Sequence, residues 1–227
     1  ALSDSGSMDS GPLDSGPLEF TGRSVVVTGG SRGLGRVIAS TFLDAGADVV
    51  TCARSEPAEP VSSTDGTRTA TFVAADVRDP DQVAAVVAAA LERSGRIDVL
   101  VNNAGGAPAA ESATVSPRFN EKIIALNLTA PMTFSQAVHP AMSTQDGGGV
   151  IVNVSSVSGN RPNPMGVAYG AAKAGLENMT LTLAHEWGPA IRVVAVTVGM
   201  IVTEESEAFY GDADGHAAVA RNLAAGR

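Results

Sequence analysis

The sequence predicts an α/β fold: one three-layer α/β/α domain built on a doubly wound parallel sheet. Three observations predict it. Short apolar runs rich in β-branched residues alternate with longer helical patterns, the order that gives parallel strands joined by crossover helices. Val and Ala supply the core rather than aromatic residues, which are 4% of the chain, as suits strands buried on both faces. The first apolar run ends in a glycine-rich turn that opens a helix, the phosphate-binding start of a βαβ unit. A chain of 227 residues is long enough for one such domain with a full core.

In order along the chain, residues 1–19 are rich in Ser, Asp, Gly and Pro, carry a near-repeat (Asp9 to Leu13, then Asp14 to Leu18) and read as a flexible tail. The domain spans 20–227. A first strand is expected at 24–28 and its helix at 33–45, ending at Gly46. Further strands are expected at 48–52 and 69–74, with a polar loop over 54–68. Asp79-Pro80-Asp81-Gln82 starts the next helix. Asp79 suits the N-cap, Pro80 the first turn, and Gln82 the third position of a capping box. A strand is expected at 97–101, one helix from Ser116-Pro117 to about Met142, a strand at 149–154, a helix at 168–187, a strand at 191–197, and short helical pieces over 203–224. Ligand then belongs at the carboxyl ends of the strands, where 28–35, 101–106 and 154–160 meet.

Net charge is −9 and the isoelectric point about 4.7, which argues against nucleic acid or an anionic membrane as the main partner. Cys52 is the single cysteine, so no intrachain disulfide forms, and its apolar setting reads as a buried packing thiol. No apolar run reaches membrane-spanning length and no signal peptide is visible, so a soluble cytoplasmic protein is expected.

Five constellations carry chemistry. In Ser24-Val25-Val26-Val27-Thr28-Gly29-Gly30-Ser31-Arg32-Gly33-Leu34-Gly35 the glycines permit a tight turn and let backbone N–H groups approach a pyrophosphate, toward which the helix N-terminus points its positive end. The spacing, Gly29-x3-Gly33-x-Gly35, departs from the commonest dinucleotide fingerprint. Tyr169 and Lys173, at i and i+4, share one helix face. A nearby ammonium favours the phenolate and suits the tyrosine to proton transfer near neutral pH, although the same spacing fits an ordinary surface pair. Ser155 and Ser156 follow a buried strand at the expected crevice, as ligand-facing hydroxyls or as turn serines. Asn127, amid apolar helical residues, is a costly buried amide that needs partners, water or a backbone carbonyl, or that merely kinks or pins the helix. Asn102-Asn103-Ala104-Gly105-Gly106 lets a cofactor approach the backbone or forms a plain turn. His139, His185 and His216 stand where none suggests an activated nucleophile or a metal site.

Together these stretches resemble the classical short-chain dehydrogenase/reductase family, whose fold is Rossmann-like. The matching residues are Thr28 to Gly35, Asp76-Val77, Asn102 to Gly105, Asn127, Ser156 and Tyr169-x3-Lys173. Ser156 precedes Tyr169 by the family's spacing, which selects it over Ser155. The resemblance implies that Tyr169 is the general acid/base, that Lys173 binds the nicotinamide ribose and lowers the tyrosine pKa, that Ser156 polarises the substrate carbonyl, and that Asn127 holds a relay water. It also implies cofactor contacts from Gly29, Ser31, Arg32, Gly33, Leu34, Gly35, Asp76, Val77, Asn103, Ile201 and Thr203. A NAD site places an acidic residue at the end of the second strand. Here that end reads Thr51-Cys52-Ala53-Arg54, and Arg54 with Arg32 suits a 2′-phosphate, so NADP(H) is favoured over NAD(H).

The expected activity is hydride transfer between NADP(H) and a small carbonyl or secondary alcohol substrate, with no metal. Met165, Met200 and Phe209 are expected to wall the substrate pocket. The resemblance also implies a homodimer or homotetramer through the helices near 118–142 and 168–187. Two departures stand out: Val198-Gly199 replaces the family's proline-glycine pair, and the family continues past the position of Arg227 with a further helix and strand. A non-catalytic nucleotide-binding regulatory or scaffold protein of the same fold is the alternative. A sugar-nucleotide epimerase or dehydratase is a weaker one, because its usual larger substrate domain has no room here.

Overall fold

The computed structural model describes residues 19–201; the expected helices over 203–224, Thr203, Phe209 and most of the N-terminal tail lie outside them. Six strands form one parallel sheet: β1 (Ser24–Thr28), β2 (Asp48–Ala53), β3 (Thr71–Ala74), β4 (Val99–Asn102), β5 (Gly149–Ser156) and β6 (Ile191–Val198). Their spatial order is β3-β2-β1-β4-β5-β6. The chain reverses its direction of winding between β1 and β4, so a crevice opens at the carboxyl ends of these two neighbours.

The alternating side chains of the strands feed two cores. Val25, Val27 and Val49 pack beneath helix α1 (Gly33–Asp44) with Ala39 and Leu43. Val26, Val50, Leu100 and Ile151 face the opposite layer. That layer holds α2 (Pro80–Ser94), α4 (Ala130–Thr144) and α5 (Val167–Trp187), which contribute Val83, Val86, Phe134, Val138 and Met142, with Leu183 and Trp187 at its margin. Among the described residues, α1 is the one helix on the first face, joined there by Phe20 and Val61, and Val194 and Val196 on β6 are half exposed.

The start of α2 is as expected at Asp79, whose carboxylate accepts from the Asp81 and Gln82 N–H groups, with Pro80 in the first turn. The capping box is only half made: the Gln82 side-chain Oε1 accepts from Asp76 N at 2.8 Å, while Asp79 N bonds to the Asp76 carbonyl.

The expected single helix from 117 to 142 is in fact three pieces: α3 (Pro117–Ile124), a π-helical turn (Ala125–Thr129) and α4. Pro131 is the cause. It has no N–H for the carbonyl of Asn127 and its ring clashes there in a regular α-helix; the wider turn relieves both, with Ala130 N reaching back five residues to the Ala125 carbonyl. Two strand starts also move. Thr69 leaves β3 for an antiparallel bridge with Ser62, and Ile97 leaves β4 because both its backbone groups bond to the Gln145 side chain, at 3.1 and 2.8 Å.

At the amino ends of the strands, away from the crevice, Asp98 is a hub. It accepts from Arg23 (2.8 Å), Ser24 N (2.9 Å) and Arg96 (2.7 and 2.8 Å) and is 7% exposed. Burial alone pushes its carboxyl up, but the bonds from Arg96, Ser24 N–H and Arg23 outweigh burial and hold it below the usual carboxylate range. Asp98→Ala is expected to cost about 2–4 kcal/mol in urea unfolding at pH 7. Because the folded pKa is depressed, the carboxylate's contribution is present above about pH 4 and fades as pH falls through the folded value. A variant as stable as the parent at pH 7 refutes this account.

Candidate active site

The glycine turn after β1 is built for close approach. Gly29 takes φ +66°, and a Cβ on Gly35 falls 2.2 Å from the Gly29 carbonyl oxygen and 2.4 Å from Asn103 Nδ2, so the turn closes only with glycine there. Thr28 locks it to the loop after β4: its hydroxyl oxygen accepts from Asn103 N and Ala104 N, both at 3.0 Å. Asn103 donates back to the Thr28 carbonyl at 2.9 Å and the Gly29 carbonyl at 3.2 Å. The Asn103 side chain therefore pins the turn. Arg32 occupies the N-cap position of α1, where its side chain makes no capping bond; the N–H groups of a helix's first turn are of the kind that can receive an anion.

At the end of β2, Thr51 and Cys52 are buried, Arg54 is exposed, and no carboxylate occurs. Burial pushes the Cys52 thiol up to about 12, so it is an inert packing thiol. Asp76 beside them is bound by Arg78, through Nε at 2.8 Å and the guanidinium end at 2.5 Å. These bonds hold its carboxyl at about 2, despite partial burial, with a further contribution from Arg54. Val77 is buried behind it.

Asn127 sits in the π turn and is wholly buried. Its amide donates to the Ile123 carbonyl (2.9 Å), which the π geometry exposes, and to the Gly106 carbonyl (3.0 Å), while Oδ1 accepts from Gly106 N at 2.8 Å. Oδ1 keeps one acceptor position. A Cβ on Gly105 falls 2.8 Å from this Oδ1 and 3.5 Å from Lys173 Nζ, so both groups border the same spot.

Lys173 is 4% exposed and donates to the Val154 carbonyl at 2.7 Å. No ion pair to it occurs among the described residues, and burial pulls its ammonium down to about 8. Nζ lies 5.7 Å from the centroid of the half-buried Tyr169 ring, one helical turn back. Ser155 and Ser156 belong to β5 rather than following it; they pair with Thr197 and Val198 of β6. Ser156 Oγ accepts from Ser158 N at 3.2 Å, while Ser155 Oγ donates to Glu177 at 2.8 Å. The serine with a proton still to offer is thus Ser156. A small apolar cleft beside Tyr169 is lined by Pro108, Phe119, Ile123, Met165 and Val167. Met165 is among these as expected, but Phe119 and Ile123 gave no signal in the sequence beyond helical periodicity. Met200 is 39% exposed, and Ile201 ends the described residues. A roomier hollow of about 320 Å³ lies at the far end of α1, lined by Leu43, Asp44, Thr64 and Arg68.

A glycine cradle at a sheet switch point, a helix N-terminus next to it, and a Tyr–Lys pair beside a strand-end serine now stand together. The family model described as short chain dehydrogenase matches residues 23–212. The chain belongs to the short-chain dehydrogenase family. It is 35% identical over 187 residues to an uncharacterized oxidoreductase of Mycobacterium tuberculosis, covering 80% of this chain and 70% of that one. A short-chain dehydrogenase from Streptomyces avermitilis superposes with TM-score 0.71 at 32% identity, over 80% of this chain and 67% of that one. Levodione reductase superposes with TM-score 0.81 at 27% identity, over 92% and 86%. The chain is thus an oxidoreductase of a family that binds NAD(H) or NADP(H). No helix among the described residues is long and apolar enough to cross a membrane.

Proposed function

We propose that this short-chain dehydrogenase interconverts a carbonyl compound and its secondary alcohol with NADP(H), using Tyr169 as general acid/base. The observation that carries the proposal is Lys173: a buried ammonium with only the Val154 carbonyl as hydrogen-bond partner among the described residues, beside the Tyr169 ring. A buried cation without a counter-charge is costly to folding, and such groups concentrate where chemistry needs them.

The residues present fit a dinucleotide. The cradle of Gly29, Gly33 and Gly35, with Ser31, Arg32 and Leu34 at the start of α1, receives the pyrophosphate. Asp76, Val77 and Asn103 border the adenosine end, and Ile201 the nicotinamide end. Arg54, at the end of β2 where a NAD site carries an acid, with Arg32, favours a 2′-phosphate. When bound, the dinucleotide supplies or accepts the hydride.

The chain's own residues handle the proton. Ser156 donates its hydroxyl hydrogen to the substrate oxygen and fixes its position. The Tyr169 phenol gives that oxygen its proton in reduction and takes it back in oxidation. The Lys173 ammonium stabilises the phenolate left behind and reaches toward the nicotinamide ribose. Asn127 holds Gly106, next to the Gly105 that borders the ammonium, in place, with Oδ1 open to a relay water. The cleft of Phe119, Ile123 and Met165 suits an apolar substrate body. Half-exposed Met132 and exposed Leu181 on α4 and α5 suit a second copy of the chain across these helices.

Calorimetric titration with NADP⁺ and with NAD⁺ tests the cofactor reading. Tighter binding of NADP⁺ by about tenfold or more is expected, from at least one charge-assisted contact to the 2′-phosphate. Arg54→Ala is expected to erase the preference while leaving NAD⁺ binding as it was. Tighter binding of NAD⁺ refutes the phosphate clamp, and binding of neither refutes the proposed function.

A further inference from the structure

Glu177 takes no part in the chemistry above, yet it joins more of the site than any residue assigned to it. It lies on α5 one turn beyond Lys173, and its Oε1 accepts from three separate parts of the chain. Ser155 Oγ on β5 donates at 2.8 Å, Thr197 Oγ1 on β6 at 3.0 Å, and Asn160 Nδ2 from the turn after β5 at 3.1 Å. Ser155 and Thr197 are register partners across β5 and β6, so the carboxylate bridges the two strands at their carboxyl ends and clamps both onto α5.

The clamp is one rung of a ladder. Asn153 Nδ2 donates to Thr180 Oγ1 at 2.9 Å, Lys173 donates to the Val154 carbonyl at 2.7 Å, and Ser155 donates to Glu177. Successive residues of β5 are thus tied to α5, the helix that carries Tyr169 and Lys173. Only the Glu177 rung also reaches β6 and the 160 turn. Each rung fixes the height of α5 against the strand that ends in Ser156.

We propose that Glu177 is a positioning residue for the catalytic set: its carboxylate locks the ends of β5 and β6 to α5, holding Ser156 and the backbone of 199–201 in register with Tyr169 and Lys173. The proposal rests on the functional reading above. A carboxylate suits the task because an ionised oxygen makes stronger bonds to several donors than a neutral one. A glutamine keeps an acceptor at the same place but a weaker one. The Oε1 contacts draw on the end of β5, the turn that follows it and β6, and breaking them frees strand ends rather than the core beneath.

The test compares Glu177→Ala, Glu177→Gln and Thr197→Val with the parent by amide hydrogen exchange, nucleotide binding and steady-state kinetics. In Glu177→Ala, exchange at 158–160 and 197–201 is expected to rise by about tenfold or more, with 25–29 and 99–103 unchanged, as for a local opening. Turnover is expected to fall by about tenfold while the substrate KM stays within threefold, the mark of misplaced catalytic groups. NADP⁺ is expected to bind more weakly, and the 2′-phosphate of ADP-ribose, which lacks the nicotinamide, to bind as it does to the parent. Glu177→Gln is expected to recover most of the turnover.

Thr197→Val removes the β6 donor alone and keeps the side chain's shape; faster exchange at 197–201 without change at 158–160 supports the clamp. Unchanged exchange in Thr197→Val overturns the proposal even when Glu177→Ala does not fold. Glu177→Ala that keeps parental exchange and turnover overturns it as well, and so does equal weakening of both nucleotides, which marks a general loss of stability. A parent chain that binds neither nucleotide refutes the functional reading itself and with it the catalytic part of the proposal, while the exchange data still decide the clamp.

Discussion

Tyr169→Phe is expected to lower turnover by about 10²–10⁴-fold and to leave dinucleotide binding within threefold of the parent. The substitution removes one hydroxyl and nothing else. The ring keeps its place, half buried on α5, and keeps its face toward the Lys173 ammonium, whose Nζ lies 5.7 Å from the ring centroid. Packing and the cation–ring attraction therefore survive, and the loss is chemical: no group remains to give the substrate oxygen its proton. Ser156 does not stand in for it. A serine hydroxyl is far too weak an acid near neutral pH, and its oxygen already accepts from Ser158 N. Steady-state turnover with a panel of ketones and aldehydes, beside calorimetric binding of NADP⁺, separates the two effects. Turnover within threefold of the parent sinks the assignment of Tyr169. Lost binding with lost turnover gives it a structural role instead.

How far the sequence discloses this site depends on the range over which each residue's reason operates. The strands are legible because runs such as Ser24-Val25-Val26-Val27-Thr28, buried throughout, carry their burial in their composition. Asp79 and Pro80 are legible because a helix start is decided by adjacent residues. The Tyr169–Lys173 pair and the glycine turn are legible as spacings, and several such spacings in one order single out the family.

The π turn is not legible, although its cause is local. Pro131 marks a disturbance of the helix, but that it takes the form of a wide turn is seen only once Asn127, four positions earlier, is known to be buried and bonded to the Ile123 carbonyl. Ser155 and Ser156 look like a turn after the strand because paired hydroxyls usually mark one; β6 extends the strand through them. Glu177 is the furthest from sequence reasoning. On a helix it reads as a solvated acid, and its donors, Ser155, Asn160 and Thr197, gather only when the sheet forms. Its spacing of four from Lys173 is the one clue that it faces the site.

Lys173→Met is expected to abolish the activity and stabilise the protein without bound nucleotide. Methionine has nearly the length of lysine and suits an apolar pocket. It sheds a buried ammonium whose single hydrogen bond among the described residues is to the Val154 carbonyl. Against that gain stands one carbonyl left without its partner. The balance favours the variant, because a buried charge lacking a counter-ion costs more than one hydrogen bond returns; an increase of about 2–4 °C in Tm at pH 7 is expected from a gain near 1 kcal/mol.

The pH dependence identifies the cause. Burial lowers the folded-state pKa of Lys173 from 10.5 to about 8. Between these values the unfolded parent holds more protons than the folded one, so the lysine's contribution to stability rises with pH across that window. The variant's advantage should be full below pH 8 and shrink toward pH 10.5, where the parent's lysine is neutral in both states. Thermal melts of both chains over pH 6–10 measure it. A variant less stable than the parent at pH 7, or an advantage that does not change with pH, shows that the ammonium is not held at a cost. In the proposed mechanism the ammonium that folding resists is the one Tyr169 needs to release its proton, so a loss of turnover together with a gain in Tm would have one origin, the burial of a charge beside a phenol.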